Sequence, residues 1–369
     1  MKFFTSKTLW FLALGLSLLF ANETTAQLTL PARSQEAEVT QRVGITDITI
    51  HYNRPLTRGR KIWGALVPYG FNDLGFGTSK SAPWRAGADY NTTIAFAHDV
   101  KLEGKDVKAG KYALFMAPKE DGTVTIVLSS NTTSWGSYYY DESEDVLRVE
   151  VTSKDVEESK ELLTYEFNTV EANATIASLH WGKKRIPFKI EVAVTDIVMA
   201  GIENDLRNPK GFQQTTWDQA AGYAFRAGNL EKALEWTNAS IKGNFFSKEN
   251  FSNLSLKGQI LMKQGKNKEA IASMQKAATH ATNNQTYGLV NQLITAGEKK
   301  IALKIAKANV KKYDGAFPSN YSLTRVYSSQ GDFKKAIKAA NASLKIAPAN
   351  FKTRLNNEIE KLKKGEDIN

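Results

Sequence analysis

A spaced motif, Gly-x-x-x-x-Ala-[Leu/Ile], recurs four times in the second half of the chain and constrains the fold more than any other feature. Its glycines are Gly228, Gly265, Gly297 and Gly331. A period of about 34 residues, with a glycine between two stretches of helical apolar periodicity, is typical of stacked helix–turn–helix repeats. The glycine ends the first helix of each pair, and the small alanine lets the second helix approach it closely. We therefore predict four helical hairpins within 213–369, followed by a polar capping helix at 351–364.

These hairpins resemble the tetratricopeptide repeat family over about residues 213–350. The fourth copy carries Tyr327, Gly331, Ala336 and Pro348 at the positions of that family's Tyr, Gly, Ala and helix-ending Pro, and the first copy has Trp217 at the opening aromatic position. Copies two and three lack the terminal proline. In that family the first helix of each pair lines a concave groove, so the resemblance implies a surface for a protein or peptide partner. The implied groove residues are Phe225, Arg226, Gln259, Lys263, Tyr287, Asn291, Tyr321 and Arg325.

The first half of the chain has a different pattern, in which short stretches rich in β-branched and aromatic residues alternate with polar turns. No helical periodicity separates them, and this arrangement is typical of an antiparallel sandwich or barrel. We predict an antiparallel β-sandwich-like domain at 27–200, a linker at 201–212 and then the all-α solenoid. The eight predicted strands are 45–53, 92–98, 110–118, 123–130, 145–151, 163–170, 174–181 and 185–194.

Several distinctive segments of this β domain resemble a bacterial exported family called domain of unknown function 2911. The segments include HYNRPLTRGRKIWGALVPYG, PWRAGAD, KLEGKDVKAGKYALFMAP, SWGSYYY and LHWGKKRIPF. The resemblance covers about residues 33–195 and implies export and a β-rich fold, but no known reaction. The sequence departs from the family pattern by an insertion at 71–83 and by His180, which stands where an acidic residue is expected.

The long irregular stretch at 54–89 contains the residues most suggestive of ligand chemistry. Guanidinium groups recognise carboxylates and phosphates, and indole faces stack on sugars or cations. One interpretation is therefore a pocket for an anionic glycan or a peptide carboxylate. The other is that the arginines pair with Asp73, Asp89 and backbone carbonyls to hold the loop in place. The candidate ligand-binding residues are Tyr52, Arg54, Arg58, Arg60, Trp84, Arg85, Asp89, Trp135 and Tyr140.

Residues 1–26 have the pattern of an export signal peptide. Lys2 and Lys7 give a positively charged start, an apolar stretch follows from Leu9 to Ala21, and small residues precede a cleavage point after Ala26. The apolar stretch is shorter than the ~20 residues that span a bilayer, and no later segment reaches that length. We therefore predict an exported, periplasmic or extracellular protein that does not span the membrane.

The remaining chemistry signals favour a protein without a cofactor. The chain has no cysteine and four histidines without metal-ligand spacing, and it lacks the nucleophile elbow of serine hydrolases. We predict no catalytic residue, no metal and no cofactor, although an enzymatic activity stays open. The acidic turn at 141–145 has two interpretations, a Ca²⁺ site or a solvated loop.

The net charge of +11 is distributed unevenly along the chain. Residues 27–200 hold 20 Lys+Arg and 23 Asp+Glu, whereas residues 201–369 hold 27 and 14. Because export makes nucleic acid a poor partner, the basic repeats favour an acidic peptide, an anionic envelope surface or the acidic neighbouring domain. The predicted function is that of an exported, non-enzymatic binding or scaffold protein. The alternative is a glycan- or anion-binding protein, or an envelope enzyme, with its site around Arg60, Trp84 and Arg85.

Overall fold

The structure is a computed structural model that describes residues 30–369. The predicted signal peptide at 1–26 lies outside the described residues. The chain forms two compact units, one ending at Val194 and the other comprising Thr195–Asn369. A helix at Val194–Leu206 and a 3-10 turn at Pro209–Phe212 occupy most of the segment predicted as a linker.

The first unit is built from two antiparallel sheets, which confirms the predicted β architecture. A six-stranded sheet has the order β1-β2-β3-β6-β7-β8, and a four-stranded sheet has the order β5-β4-β10-β9. The strands are β1 (Gln35–Val43), β2 (Thr46–Arg54), β3 (Thr93–Phe96), β4 (Val100–Leu102), β5 (Lys105–Val107), β6 (Gly110–Pro118), β7 (Thr123–Ser129), β8 (Asp145–Thr152), β9 (Lys154–Val170) and β10 (Ala174–Val192).

The two sheets meet through large buried side chains. Tyr52 on β2 and Tyr165 on β9 pack edge to face with ring centroids 4.8 Å apart, and the Tyr52 hydroxyl accepts a hydrogen bond from the backbone N–H of Tyr165 at 3.1 Å. Alternation along the strands fills the space between the sheets with apolar groups such as Ile48, Ile50 and Phe188, each at most 1% exposed. The core therefore lies between the sheets, as in a sandwich.

The long irregular stretch after β2 pairs with one strand of each sheet. Near its start, Leu56 forms a bridge with Leu162 of β9. Near its end, Trp84 exchanges two backbone hydrogen bonds of 2.9 Å with Met116 of β6, which continues the ladder beyond β3. Because both ends of the stretch are anchored by backbone pairing, its arginines and tryptophans are held at a fixed position beside the core.

The second unit contains ten α-helices within the described residues. Four antiparallel pairs, α2–α3, α4–α5, α6–α7 and α8–α9, follow helix α1, and α10 closes the array. The helices are α1 (Val194–Leu206), α2 (Gln214–Arg226), α3 (Leu230–Ile241), α4 (Phe251–Lys263), α5 (Asn267–His280), α6 (Asn283–Thr295), α7 (Lys299–Lys312), α8 (Phe317–Ser329), α9 (Phe333–Ile346) and α10 (Ala349–Lys363).

The repeated motif acts as the sequence predicts. The four glycines follow the first helix of each pair and have φ between 75° and 82°, a left-handed conformation that strains other residues. The four motif alanines, Ala233, Ala270, Ala302 and Ala336, are fully buried where the paired helices approach each other. The helical-repeat prediction is therefore confirmed. None of the described helices has both the length and the apolar character of a membrane span.

Candidate functional site

A cleft of about 430 Å³ opens in the β unit beside the anchored stretch, and we call it the arginine cleft. It combines four arginines, one carboxylate and three tryptophans with a few small or apolar groups. Of the nine residues predicted from the sequence, six lie here. The residues lining it are Arg33, Ser34, Pro55, Leu56, Arg58, Arg60, Leu66, Val67, Trp84, Arg85, Gly87, Ala88, Asp89, Trp135 and Trp181.

Backbone carbonyl groups hold two of the cleft's arginines. Arg60 donates from Nε to the carbonyl oxygen of Thr57 at 3.0 Å and from Nη2 to that of Leu56 at 2.6 Å. Arg85 donates from Nη1 to the carbonyl oxygen of Asp89 at 2.7 Å. The hypothesis that arginines hold the loop through carbonyls therefore describes part of their role. These carbonyl groups carry no net charge, however, so the hydrogen bonds do not neutralise the positive charge of either guanidinium group.

The two acidic side chains near the cleft, Asp73 and Glu161, form no ion pair with an arginine of the cleft. Asp73, a proposed arginine partner, instead pairs with Lys80 at 3.1 Å. Glu161 accepts hydrogen bonds from the hydroxyl of Thr57 and from the backbone N–H of Arg58. These two bonds are the main reason that the pKa of Glu161 is lowered from its usual value, and the charges of Arg60 and Arg58 lower it further.

Tryptophans form the floor and the rim of the arginine cleft. The Trp84 and Trp181 rings are stacked with centroids 6.0 Å apart, and Trp181 is only 1% exposed. At the rim, Trp135 is 54% exposed and stacks on Tyr138. The guanidinium carbon of Arg85 lies 5.2 Å from the Trp135 ring centroid, within the range of a cation–π contact.

Three predicted ligand-binding residues lie away from the cleft. Tyr52 belongs to the contact between the sheets, and Arg54 donates to the carbonyl oxygen of Leu163 and to the hydroxyl of Thr164. Tyr140 donates to the carboxylate of Asp145 and packs against Phe115. All three make contacts that stabilise the β unit.

The insertion at 71–83 forms the wall of a smaller, adjacent cavity of about 230 Å³. Its two ends pair through Asn72 and Ala82, and the cavity shares Trp84 and Arg85 with the arginine cleft. The insertion therefore shapes the surroundings of the cleft without contributing one of its lining residues.

A second concave site, of about 530 Å³, lies in the helical unit, and we call it the repeat groove. The first helices of three successive repeats, α2, α4 and α6, supply most of its side chains, as the resemblance implies. Four of the eight predicted groove residues line it. The lining residues are Phe225, Gln259, Met262, Lys263, Met274, Asn291, Gln292, Thr295 and Ala296.

The repeat groove has an apolar floor and polar edges. Half-buried Phe225 and Met262 supply the accessible apolar surface, and Met274 lies beneath it with only 1% of its surface exposed. The ammonium group of Lys263 lies 4.7 Å from the centroid of the Phe225 ring. Asn291 contributes an amide whose Oδ1 atom is buried without a hydrogen-bond donor. An unpaired buried acceptor of this kind is costly for the folded state.

The other predicted groove residues lie outside this cavity. Arg226 is exposed at the end of α2. Tyr287 stacks on Tyr321 with centroids 5.5 Å apart, and the buried Tyr321 donates to Glu358 at 2.8 Å. The Nε atom of Arg325 is buried without an acceptor. Tyr321 therefore anchors the end of the array.

Sequence analysis did not name several lining residues of either site. In the arginine cleft these include Arg33 and Trp181, which are distant in sequence from the 54–89 stretch. Trp181 lies within the LHWGKKRIPF segment, which was noted for its resemblance only. In the repeat groove Met274 comes from a second helix, although the first-helix rule assigns the surface to first helices.

The described part of the chain contains no cluster of side chains that could bind a metal ion. Across residues 30–369, no three His, Cys, Asp or Glu side chains come together in a way that could hold a metal ion. The acidic turn contains a short 3-10 turn at Glu142–Glu144, and Asp145 pairs there with Arg148 at 2.5 Å.

The two units match different protein-family models. Residues 34–190 match the family model Protein of unknown function (DUF2911). Tetratricopeptide repeat models match residues 252–281 and 317–350. Both resemblances noted in the sequence are therefore confirmed. The curated proteins include no significant match to the chain.

Solved structures of tetratricopeptide repeat proteins are similar to part of the chain. The C-terminal part of a repeat-containing protein from Cytophaga hutchinsonii is 16% identical, with 46% of this chain and 70% of that chain covered and a TM-score of 0.35. YrrB, described as having an unusual peptide-binding site, is 16% identical over 44% and 84% of the two chains, with a TM-score of 0.32. A repeat protein from Parabacteroides merdae is 12% identical over 47% and 74%, with a TM-score of 0.32. TM-scores below 0.5 give these likenesses no weight in assigning a function.

Proposed function

We propose that this chain is a protein-interaction scaffold of the bacterial envelope, and that its repeat groove binds an extended, acidic segment of a partner protein. The observation that carries the proposal is a single groove built by successive repeats, with an apolar floor, a lysine and amides along it. Concave surfaces of stacked helical repeats are suited to extended partners because they present regularly spaced side chains over a long distance.

The groove chemistry fits an extended peptide. The apolar floor of Phe225 and Met262 can bury aliphatic side chains, and methionines adapt to irregular shapes. The amide groups of Gln259 and Asn291 can pair with the peptide backbone, which exposes donors and acceptors when it is extended. Apolar contacts would thus supply affinity, and the amides would set orientation.

The charge of the repeats favours an acidic partner. Lys263 lines the groove and has no carboxylate within ion-pair distance among the described residues. Around it, residues 201–369 carry 27 basic and 14 acidic side chains. This excess attracts an acidic segment over distances set by the ionic strength, about 10 Å at 0.1 M salt.

A binding experiment with matched peptides tests this proposal. A fluorescein-labelled peptide of alternating Glu and Leu is titrated with the full chain, and fluorescence anisotropy measures binding. A peptide with Lys in place of Glu is the charge control. We expect saturable binding of the acidic peptide but not of the lysine peptide, and we expect added salt to weaken that binding.

Variants of the full chain then locate the site. Lys263→Gln and Phe225→Ala each remove one groove contact, and we expect each to weaken binding by about tenfold. Lys268→Gln is the matched control, because Lys268 is exposed on α5 outside the groove. Equal affinity in Lys263→Gln, Phe225→Ala and the control would refute the groove as the binding site.

Export is the second part of the proposal, and it is supported by the charged, apolar and small-residue regions of 1–26. Intact-mass analysis of the chain recovered from a bacterial host tests it. We expect a mature chain that begins at Gln27 in the periplasmic or extracellular fraction. A chain that keeps Met1 to Ala26 in the cytoplasm would refute export.

A further inference from the structure

We propose that the arginine cleft of the β unit binds an acidic sugar, a pyranose that carries a carboxylate or a phosphate group. This site lies in a different unit from the repeat groove, and the inference does not rest on the proposed scaffold function. The argument depends on the charge of the cleft, the way its arginines are held, its aromatic surface and its size.

The arginine cleft has a net positive charge, even with the Glu161 carboxylate close enough to Arg58 and Arg60 for their charges to lower its pKa. Four arginines line it, namely Arg33, Arg58, Arg60 and Arg85, against the single carboxylate of Asp89. Among residues 30–369 none of these four guanidinium groups forms an ion pair within 4.0 Å, although eighteen such contacts between Lys or Arg and a carboxylate occur elsewhere in that range. A concave site with a net charge of one sign concentrates ligands of the opposite sign.

Hydrogen bonds to backbone carbonyls hold two of these guanidinium groups in place but use only some of their N–H donors. A guanidinium has five N–H donors. Arg85 uses one of them on the carbonyl oxygen of Asp89, and Arg60 uses two on those of Thr57 and Leu56. The carbonyls fix the geometry while the remaining donors are left for an anion, and charge-assisted bonds to carboxylate or phosphate are among the strongest that side chains form.

The backbone around the cleft is held in costly conformations. Arg58, Ala86 and Asp89 have φ of 49°, 50° and 57°, which are three of the five positive values found for residues other than glycine in the described chain. Such conformations persist only where the surrounding structure imposes them, and they concentrate at ligand sites. Their grouping here supports a binding role for the cleft.

The aromatic surface points to a sugar as the body of the ligand. The C–H groups on one face of a pyranose pack on an indole, and Trp135 lies at the rim with 54% of its surface exposed, beside Tyr138 and Arg85, which already contact its ring. Trp84 and Trp181 form an apolar floor next to the arginines. The volume of about 430 Å³ suits a small molecule, since such pockets span about 300–1,000 Å³.

Calorimetric titration of the full chain with a matched ligand series tests the inference. Glucose, glucuronic acid and glucose 6-phosphate share one ring and differ in the group at carbon 6, so they separate the sugar from its charge. Inorganic phosphate and acetate supply the anions without the ring. We expect at least one acidic sugar to bind with a Kd of about 10 mM or lower, and at least tenfold more tightly than glucose or the free anions.

Two variants assign that binding to the cleft. Arg58→Gln removes an exposed guanidinium without a hydrogen bond of its own, and Trp135→Ala removes the rim indole. We expect each to weaken binding by about tenfold, the effect of losing one charge-assisted hydrogen bond or one aromatic contact. Arg207→Gln is the matched control, because Arg207 is exposed in the helical unit.

Several results would overturn the inference. These are the absence of saturable binding of both acidic sugars, equal binding of glucose, equal binding of the free anions, or unchanged binding in both cleft variants. Preferential binding of acetyl-glutamate over the acidic sugars would assign the site to a peptide carboxylate instead. Failure of this series would leave peptide binding at the repeat groove unaffected, so the two proposals fail separately.

Discussion

At the residue scale, Gly136 determines how closely Arg85 can approach the backbone. Gly136 has a φ of 75°, and a Cβ atom built on it would lie 2.7 Å from the guanidinium carbon of Arg85. Such a distance is too short for real carbon atoms. A side chain at this position would therefore displace the end of Arg85, and the backbone there also has the left-handed conformation that suits glycine.

Gly136→Ala tests this dependence. Alanine in the left-handed region costs about 1–2 kcal/mol, and the displaced guanidinium adds to this cost. Gly104→Ala is the matched control, because Gly104 has a φ of 77° and no atom within 4 Å of its added Cβ. We expect urea unfolding, followed by tryptophan fluorescence, to show a larger loss for Gly136→Ala. Equal losses would mean that Arg85 adapts freely.

A buried histidine makes the stability of the β unit depend on pH. His180 is 1% exposed, its Nε2 atom lies 3.2 Å from the carbonyl oxygen of Glu158, and its Nδ1 atom lies 3.4 Å from Nη2 of Arg185. This geometry suits a neutral ring that donates from Nε2 and accepts at Nδ1. Burial is the main reason that the pKa of His180 is lowered, and the charges of Arg185 and Lys160 lower it further.

The substitution His180→Gln tests how this histidine makes the stability of the β unit depend on pH. Because the folded-state pKa lies below the ordinary value of about 6.5, the unfolded chain binds the proton first as the pH falls. The contribution to stability is complete above pH 6.5 and is lost below it, by at most about 1.4 kcal/mol per pH unit. Glutamine keeps a donor and an acceptor without titrating. We therefore expect a flatter profile of unfolding free energy against pH for the variant, and identical profiles would contradict the assignment.

At the scale of elements, the helical hairpins could be predicted because their geometry repeats. Each turn needs a left-handed residue and each helix crossing needs a small one, so the same two residue types recur at a fixed distance. The strands could be predicted where alternation is strong, but the predicted strands 174–181 and 185–194 are one continuous strand, β10. Gly182, in the predicted turn, is instead a bulge within the pairing of β10 with β9. The short strands β4 and β5 were missed because three residues carry too little pattern, and β1 was missed because its edge position leaves most side chains exposed.

The last helix closes the repeats by covering their apolar end. Leu355 on α10 is fully buried beside Tyr321 and Ala347, and Ile359 and Leu362 of the same helix pack against the fourth repeat. A stack of repeats needs such a helix because its terminal face would otherwise expose its core.

Leu355→Ala measures this contribution. Removal of a fully buried leucine side chain costs about 2–5 kcal/mol, and we expect a loss in that range in urea unfolding followed by helical circular dichroism. Asn356→Ala is the control on the exposed face of α10, with an expected change within about 0.5 kcal/mol. Equal effects of the two substitutions would show that α10 does not stabilise the array.

At the scale of the whole molecule, the candidate sites were only partly predictable. Arg58, Arg60, Trp84, Arg85 and Asp89 lie within one stretch of sequence, so their residue types indicated a site before their positions were known. Trp181 joins them because β10 passes beneath that stretch, and such long-range proximity leaves no local pattern. The same holds for Met274 in the repeat groove, which reaches the concave side from a second helix.

The central claim is that the concave side of the repeats is the partner surface. Hydrogen–deuterium exchange of the full chain, with and without the Glu/Leu peptide, tests it most directly. We expect slower exchange in α2, α4 and α6 on peptide binding, and loss of that protection in Lys263→Gln. Protection confined to other helices or to the β unit, with the peptide still bound, would contradict the claim.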